Sequence, residues 1–193
     1  GSWDSSTYQA PMTTNQVGSF NIAIGSGVLR LANENDNDGS VGIGYGALNN
    51  QAGTGGAQFA NATVGIGYKA LTALTTGAAN TAVGYQSGAS LVDGNQNSIF
   101  GYNAGYSLTE GLDNTAMGYG ALYAENDGDY CVAIGSLALN SQTGVSGAVR
   151  NTALGYKAGY AVTTGVRNVI IGTDAAVGMQ DADECVIIGN YAM

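Results

Sequence analysis

The chain contains no histidine, a single proline, two cysteines and few charged side chains, which make up 10% of its 193 residues. Without histidine it has neither a histidine-based catalytic triad nor an imidazole-containing zinc site. Five basic residues against 14 acidic ones give a net charge of −9, and no basic cluster favours nucleic acid or acidic lipid. No apolar run reaches membrane-spanning length, so no membrane insertion is predicted.

Glycine, by contrast, is abundant, with 32 residues, and it ends a sequence motif that recurs ten times. A short β-branched and apolar run ends in glycine, usually followed by tyrosine, as in residues 80–85 and 114–119. Six of the nine steps between successive closing glycines are 17 residues long, and the others are 19, 23 and 20. Such a period is typical of a solenoid that stacks one short unit. The closing glycines are Gly25, Gly44, Gly67, Gly84, Gly101, Gly118, Gly135, Gly155, Gly172 and Gly189.

The run before each closing glycine predicts a β-strand with two different faces. The residue directly before the glycine is apolar in all ten repeats, and the residue three before it is β-branched in nine. These two positions share one strand face, while Ala, Gly or Ile stands between them on the other. We expect the small-residue face to approach another backbone at an oligomer axis. Helix is disfavoured because glycine is frequent and a 3.6-residue apolar period is absent.

The fold class predicted from these patterns is all-β, a parallel β-solenoid of about ten 17-residue repeats over residues 21–193. Each repeat is long enough for two short strands and two corners. Residues 1–20 lack the repeat and are predicted to form an N-terminal cap or linker. Three insertions, at 32–39, 52–60 and 144–148, are predicted to emerge as loops, which in repeat proteins often form the binding face.

Cys131 and Cys185 both occupy a position four residues before a closing glycine, where six other repeats carry asparagine. They lie three repeats apart, roughly 14 Å at ~4.8 Å per stacked coil, which is too far for a disulfide within one chain. We expect two buried thiols that fill a column of stacked residues. The alternative is contact between symmetry-related cysteines about an oligomer axis.

Tyrosine follows the closing glycine in six repeats, at Tyr45, Tyr68, Tyr85, Tyr102, Tyr119 and Tyr156. The structural interpretation is a stacked ladder of rings that covers one corner of the coil. The functional alternative is an aromatic strip on which sugars stack.

Acidic residues concentrate in three clusters, which are predicted to be solvated turns. Oxygen-rich loops of this kind make Ca²⁺ the alternative, and the first cluster has the beginning of an EF-hand-like spacing without its closing glutamate. Paired carboxylates also raise glycoside hydrolysis, but surface clusters do not set the fixed separation of the two carboxyl groups that this reaction needs. The clusters are Glu34/Asp36/Asp38, Glu125/Asp127/Asp129 and Asp181/Asp183/Glu184.

The candidate ligand site combines aromatic and carboxylate side chains, a pairing common in sugar binding. Tyr123 and Tyr130 flank the acidic loop that holds Glu125, Asp127 and Asp129. Trp3, outside the repeats, is interpreted as part of a cap, or alternatively as an exposed ligand contact. No catalytic residue, no cofactor and no metal site is predicted, apart from the Ca²⁺ alternative above, and the protein is expected not to be an enzyme.

The sequence motifs at residues 21–26 and 131–136 resemble the repeat of trimeric autotransporter adhesin heads. The phrase at residues 80–85 is similar to repeats in phage tail fibres and related bacterial fibre proteins. The resemblance covers residues 21–193 and implies a parallel β-roll in which three chains pack around an axis as a homotrimer. It also implies an extracellular, cell-surface or virion location and attachment to a cell surface through a glycan or protein. The alternative is a purely structural spacer segment of a fibre.

Overall fold

The computed structural model describes residues 20–30, 38–51, 61–143 and 147–193, so the predicted cap at residues 1–20 lies outside them except for Phe20. Within these ranges the chain forms twelve short β-strands and no helix, and hence no helix able to cross a membrane. The strands are β1 (Ile22–Ile24), β2 (Val41–Ile43), β3 (Val64–Ile66), β4 (Thr81–Val83), β5 (Ser98–Phe100), β6 (Thr115–Met117), β7 (Gly128–Asp129), β8 (Val132–Ile134), β9 (Gly147–Ala148), β10 (Thr152–Leu154), β11 (Val169–Ile171) and β12 (Val186–Ile188).

Ten of these strands form one parallel sheet, in the order β1-β2-β3-β4-β5-β6-β8-β10-β11-β12. Each strand directly precedes a closing glycine, and neighbours pair in exact repeat register, as Ala82 does with Ile99. The parallel β-solenoid is therefore confirmed, with one coil for each repeat, and we name a coil by its closing glycine. The expected second strand is found in only two of the described coils, where β7 pairs with β9.

The strands face the opposite way from the prediction. The middle residue of each strand lies inside the coil, and Ala82, Ile99 and Ala116 are fully buried. The larger apolar residues on either side point outward, and Met117 is 45% exposed. The small residues thus lie inside the coil and not at an oligomer axis. They are small because leucines from the corners, such as Leu71 and Leu74, already fill the narrow interior.

Large and small side chains alternate inside the coils. Ile99 projects into space that neighbouring coils leave open, since a Cβ on Gly88 or Gly105 would lie 3.0 or 3.3 Å from Ile99 Cδ1. In the reverse arrangement, a Cβ on Gly65 would lie 2.9 Å from Cγ of Leu48. The interior position four residues after the closing glycine is thus glycine beside Ile99 and leucine beside Gly65, and the interior stays densely packed.

All ten closing glycines are required by conformation, and the nine from Gly25 to Gly172 are required by space as well. Their φ angles lie between 120° and 143°, a region that L-residues with side chains rarely adopt. At Gly101 a Cβ would also lie 2.4 Å from the carbonyl oxygen of Gly118 in the next coil. Backbone contacts backbone along this corner, so no other residue fits.

Buried asparagines tie each coil to the next. Asn97 Oδ1 accepts a hydrogen bond from Asn114 N at 3.0 Å, and its Nδ2 donates to Gly111 O at 2.8 Å. Asn114 repeats this with Cys131 N and Gly128 O, both at 2.8 Å. The side-chain amide thereby satisfies interior backbone groups that have no strand partner.

The asparagine column is replaced where the coil carries an insertion. At Cys131 the thiol cannot make the two amide bonds, and Gln142 enters the interior instead. Its Nε2 lies 3.2 Å from Cys131 Sγ, and its Oε1 accepts from Asn151 Nδ2 at 2.8 Å. Gln51 reaches Ser40 Oγ at 3.4 Å in the same way. Both glutamines come shortly before an insertion, so the interior stays hydrogen-bonded where the repeat length changes.

Candidate functional site

Five tyrosines form one continuous stack along a corner of the solenoid, which confirms the ladder interpretation. Neighbouring ring centroids lie 4.9–5.5 Å apart and the planes differ by 7–16°. Each ring remains 40–57% exposed because it lies on the outside of the coil. We call this stack the tyrosine ladder; its members are Tyr45, Tyr68, Tyr85, Tyr102 and Tyr119.

The tyrosine ladder ends at Tyr119 because the next coil carries Ser136 at the equivalent position. The backbone aligns the two coils there, since Leu137 N donates to Tyr119 O at 2.8 Å. Tyr156, the sixth predicted member, lies one further coil along and is separated from the ladder by this serine. The face of Tyr119 that is turned toward Ser136 therefore has no ring stacked on it.

A second, shorter stack stands beside the first. Tyr106 and Tyr123, each five residues after a closing glycine, stack with centroids 5.3 Å apart and planes 8° apart. The next coil carries Asn140 at this position, so this stack ends at the same coil as the tyrosine ladder. Tyr123, a predicted ligand contact, is 37% exposed at the end of the short stack.

The side chains two residues after each closing glycine lie between these two rows of tyrosines. Lys157 shows this directly, because its Nζ lies 5.2 Å from the ring centroid of Tyr156 and 5.6 Å from that of Tyr160. At Gly120 this intervening side chain is missing and a cleft opens. The ladder cleft has a volume of about 270 Å³ and is lined by Asn103, Tyr119, Gly120, Tyr123, Leu137 and Asn140.

The polar side-chain groups of the ladder cleft are two asparagine amides and two tyrosine hydroxyls, and none of its lining residues is charged. Asn140 Nδ2 donates to Gly120 O at 2.9 Å, which fixes the amide at one side of the floor. Asn103 lies at the other side, and its Oδ1 is buried without a hydrogen-bond partner. A buried acceptor of this kind costs free energy until a donor reaches it.

The opposite end of the tyrosine ladder has a similar cleft, of about 290 Å³, beside Tyr45. Gly27 and Gly46 lie in its floor, and Asn49 Nδ2 donates to Gly27 O at 2.7 Å. The same arrangement of terminal tyrosine, floor glycine and asparagine is therefore built twice from different repeats. This second cleft differs by including the cations Arg30 and Lys69 in its lining.

The acidic loop at residues 125–129 was predicted to be a solvated turn, but its first carboxylate is buried. Glu125 is fully buried in the interior, at the position where the preceding coil carries Leu108. Its carboxylate accepts from Asn126 N at 3.0 Å and Gly128 N at 2.8 Å, and also from Gln142 Nε2. This carboxylate closes the corner from inside and is out of reach of a surface ligand.

The other predicted side chains of this loop make contacts within the chain. Asp127 Oδ1 accepts from Thr109 Oγ1, and Asp129 Oδ1 accepts from Leu112 N at 2.8 Å. Tyr130 is 46% exposed, with the Arg150 guanidinium 5.6 Å from its ring centroid. Asp127 and Asp129 thus accept hydrogen bonds from the preceding coil, at Thr109 and Leu112.

The remaining candidates have no defined place in a ligand site. Trp3, Glu34 and Asp36 lie outside the described residues. Among the described residues no group of three or more Cys, Asp or Glu side chains could hold a metal ion. Cys131 is buried and Cys185 half-buried, and both are free thiols. Burial raises the pKa of Cys131 to about 11.

Sequence reasoning missed Asn103, Gly120, Leu137 and Asn140 as lining residues. The available signal was the alignment of repeats on their closing glycines, which places Gly120 between Asn103 and Leu137 in one column and shows that both tyrosine columns are interrupted at the Gly135 coil. In comparisons with known proteins, no protein-family model, no curated protein and no solved structure matches the chain.

Proposed function

We propose that this protein is a non-enzymatic segment of an extracellular fibre or adhesin that attaches to a cell surface by binding a glycan or a surface protein. The observation that carries the proposal is the row of exposed tyrosines held in rigid register by the solenoid. Exposed aromatic residues are enriched in recognition surfaces because they offer a large contact area at small entropic cost. The low charge of the chain suits neutral, hydroxyl-rich partners.

The proposal includes a homotrimer, and the outer face of the ten-stranded sheet supports it. The residue before each closing glycine is apolar in every coil, and this column is turned outward from Ile24 to Ile188, which are 57% and 64% exposed. Such a long apolar surface is unusual on a monomer. A second copy of the same chain has an apolar face of equal length that can cover this one. Rotational symmetry then gives a closed assembly in which every copy makes the same contacts.

The assembly is tested by light scattering coupled to size exclusion. We expect a mass of three 19.3 kDa chains. Replacing Phe100 and Ile134 on the outer sheet face by aspartate should release monomers, whereas Gln86→Glu, at a corner, should not. A wild-type monomer would contradict the trimer.

The attachment function is tested with a glycan array and with labelled protein on whole cells. We expect binding that is lost when Tyr119 and Tyr123 are both changed to serine. A control that changes Tyr130 and Asp127, which lie outside the ladder cleft, should retain binding. Absence of binding to every glycan and every cell type would instead favour the alternative, a spacer segment that holds another domain away from a surface.

A further inference from the structure

We propose that the ladder cleft over Gly120 is a binding subsite for a single uncharged hexopyranose ring of a surface glycan, with Tyr119 and Tyr123 supplying the stacking surface. This inference rests on the proposed attachment function and identifies the place and the ligand class. The volume of about 270 Å³ lies just below the range of ~300–1,000 Å³ typical for drug-sized ligands. The cleft thus suits one sugar ring of a longer chain.

The stacking surface exists only where the ladders end. Within a ladder each ring face is covered by the next ring at 4.9–5.5 Å, so an internal tyrosine presents only its edge. Tyr119 and Tyr123 are both terminal members, and neither has a tyrosine ring stacked on its face toward the Gly135 coil. The apolar C–H face of a pyranose can continue both stacks at this coil.

The break in the tyrosine column at Ser136 is large enough for one sugar ring. Tyr119 and Tyr156 stand two coils apart, and successive rings elsewhere are separated by 4.9–5.5 Å. The gap between them is therefore about 10 Å, which leaves room for one ring stacked roughly 5 Å from Tyr119, within the ~4.5–7 Å range of aromatic stacking. Tyr156 itself does not line the ladder cleft. Ser136 and Asn140, in the intervening coil, have side chains too small to fill this gap.

The polar lining matches hydroxyl groups. The hydroxyls of Tyr119 and Tyr123 and the asparagine amides of the lining can exchange hydrogen bonds with sugar hydroxyl groups. Asn140 is held by its bond to Gly120 O, with its Oδ1 left to accept a second hydroxyl. No charged residue lines the ladder cleft, which selects uncharged sugars. The cleft beside Tyr45 contains Arg30 and Lys69 and so provides a charged comparison within the same chain.

The test is saturation-transfer NMR and calorimetry on the whole protein with maltohexaose, cellohexaose, chitohexaose and mannohexaose, and sialyllactose as the acidic comparator. Gly120→Gln fills the ladder cleft and should weaken binding roughly tenfold. The backbone conformation permits this change, because Gln86 and Asn103 occupy the same column at φ 51°. The ends of the Leu137 and Asn140 side chains, 3.1 and 3.3 Å from the new Cβ, must move slightly. Gln86→Asn is the matched control and should bind like the wild type.

A second variant tests the same site by a different route. Ser136→Tyr fills the gap in the tyrosine ladder and should also weaken binding about tenfold while leaving the fold intact. If Gly120→Gln and Ser136→Tyr bind an uncharged oligosaccharide as tightly as the wild type, the subsite is refuted but attachment stands. Binding of sialyllactose alone refutes the uncharged class. Absence of binding to every sugar, together with absence of cell attachment, refutes both proposals.

Discussion

Replacing the closing glycine Gly101 by alanine should weaken the solenoid far more than the same change at Gly46, a corner glycine whose Cβ would not meet backbone. At φ 139° the strain of an L-residue is ~1–3 kcal/mol. The new Cβ would lie 2.4 Å from Gly118 O and 2.7 Å from Gly118 C, and relieving such overpacking costs a further ~1–3 kcal/mol. Together these give a loss of about 4 kcal/mol in the free energy of unfolding.

The matched control is Gly46→Ala, at φ 64° with Lys69 Cγ, 3.5 Å away, as the nearest atom to the new Cβ. Its cost is ~1–2 kcal/mol, since only the left-handed conformation disfavours alanine there. Urea denaturation followed by circular dichroism, at one protein concentration, measures both. With a slope near ~2 kcal/mol per M, Gly101→Ala should lower the midpoint by roughly 2 M. Equal midpoints for Gly101→Ala and Gly46→Ala would refute the backbone-contact argument.

Three further predictions concern the interior and one exposed ion pair. A thiol reagent at neutral pH should label Cys185 in the folded protein and Cys131 only after unfolding. Burial raises the pKa of Cys131 from 9.0 to about 11, so the free energy of unfolding should fall as pH rises from 9 to 11. The Cys131→Ala variant should show a smaller fall over the same pH range. Asn97→Ala should cost about 2–4 kcal/mol in chemical denaturation, since it leaves buried backbone groups in the next coil unpaired. Arg167→Ala should cost less than ~1 kcal/mol in the same assay, because the ion pair with Glu184, 2.9 Å long, is exposed.

The alignment of equivalent residues in successive coils was predictable from the sequence, because the repeat has a nearly fixed length. Tyr85 and Tyr102 follow their closing glycines at the same offset, and the structure confirms the predicted ring stack. The strand face was predicted wrongly. Pattern alone assigns large apolar residues such as Phe100 to the interior, whereas the interior of so narrow a coil has room only for Ala82 or for an isolated Ile99.

The positions of the candidate-site residues could be predicted only in part from the sequence. Tyr123, predicted as a ligand contact, lines the ladder cleft. Glu125 was assigned to the surface from its acidic neighbours, but its position seven residues after a closing glycine is an interior one, shared with Leu108. Local composition does not reveal this, whereas alignment of the coils does. The cleft itself depends on the absence of a side chain at Gly120, which no motif marks.

The packing of Ile99 against Gly88 and Gly105 also bears on how the rod changes length in evolution. Copying residues 85–101 would insert a coil that carries both Gly88 and Ile99, so every isoleucine would still find a glycine beside it. Deleting the same residues would leave Gly105 facing Ala82 and create a void, with a cost of ~24 cal/mol for each Å³ that the coil cannot close. In this part of the chain, gene duplication can therefore lengthen the rod readily, while loss of a coil must be accompanied by a compensating substitution.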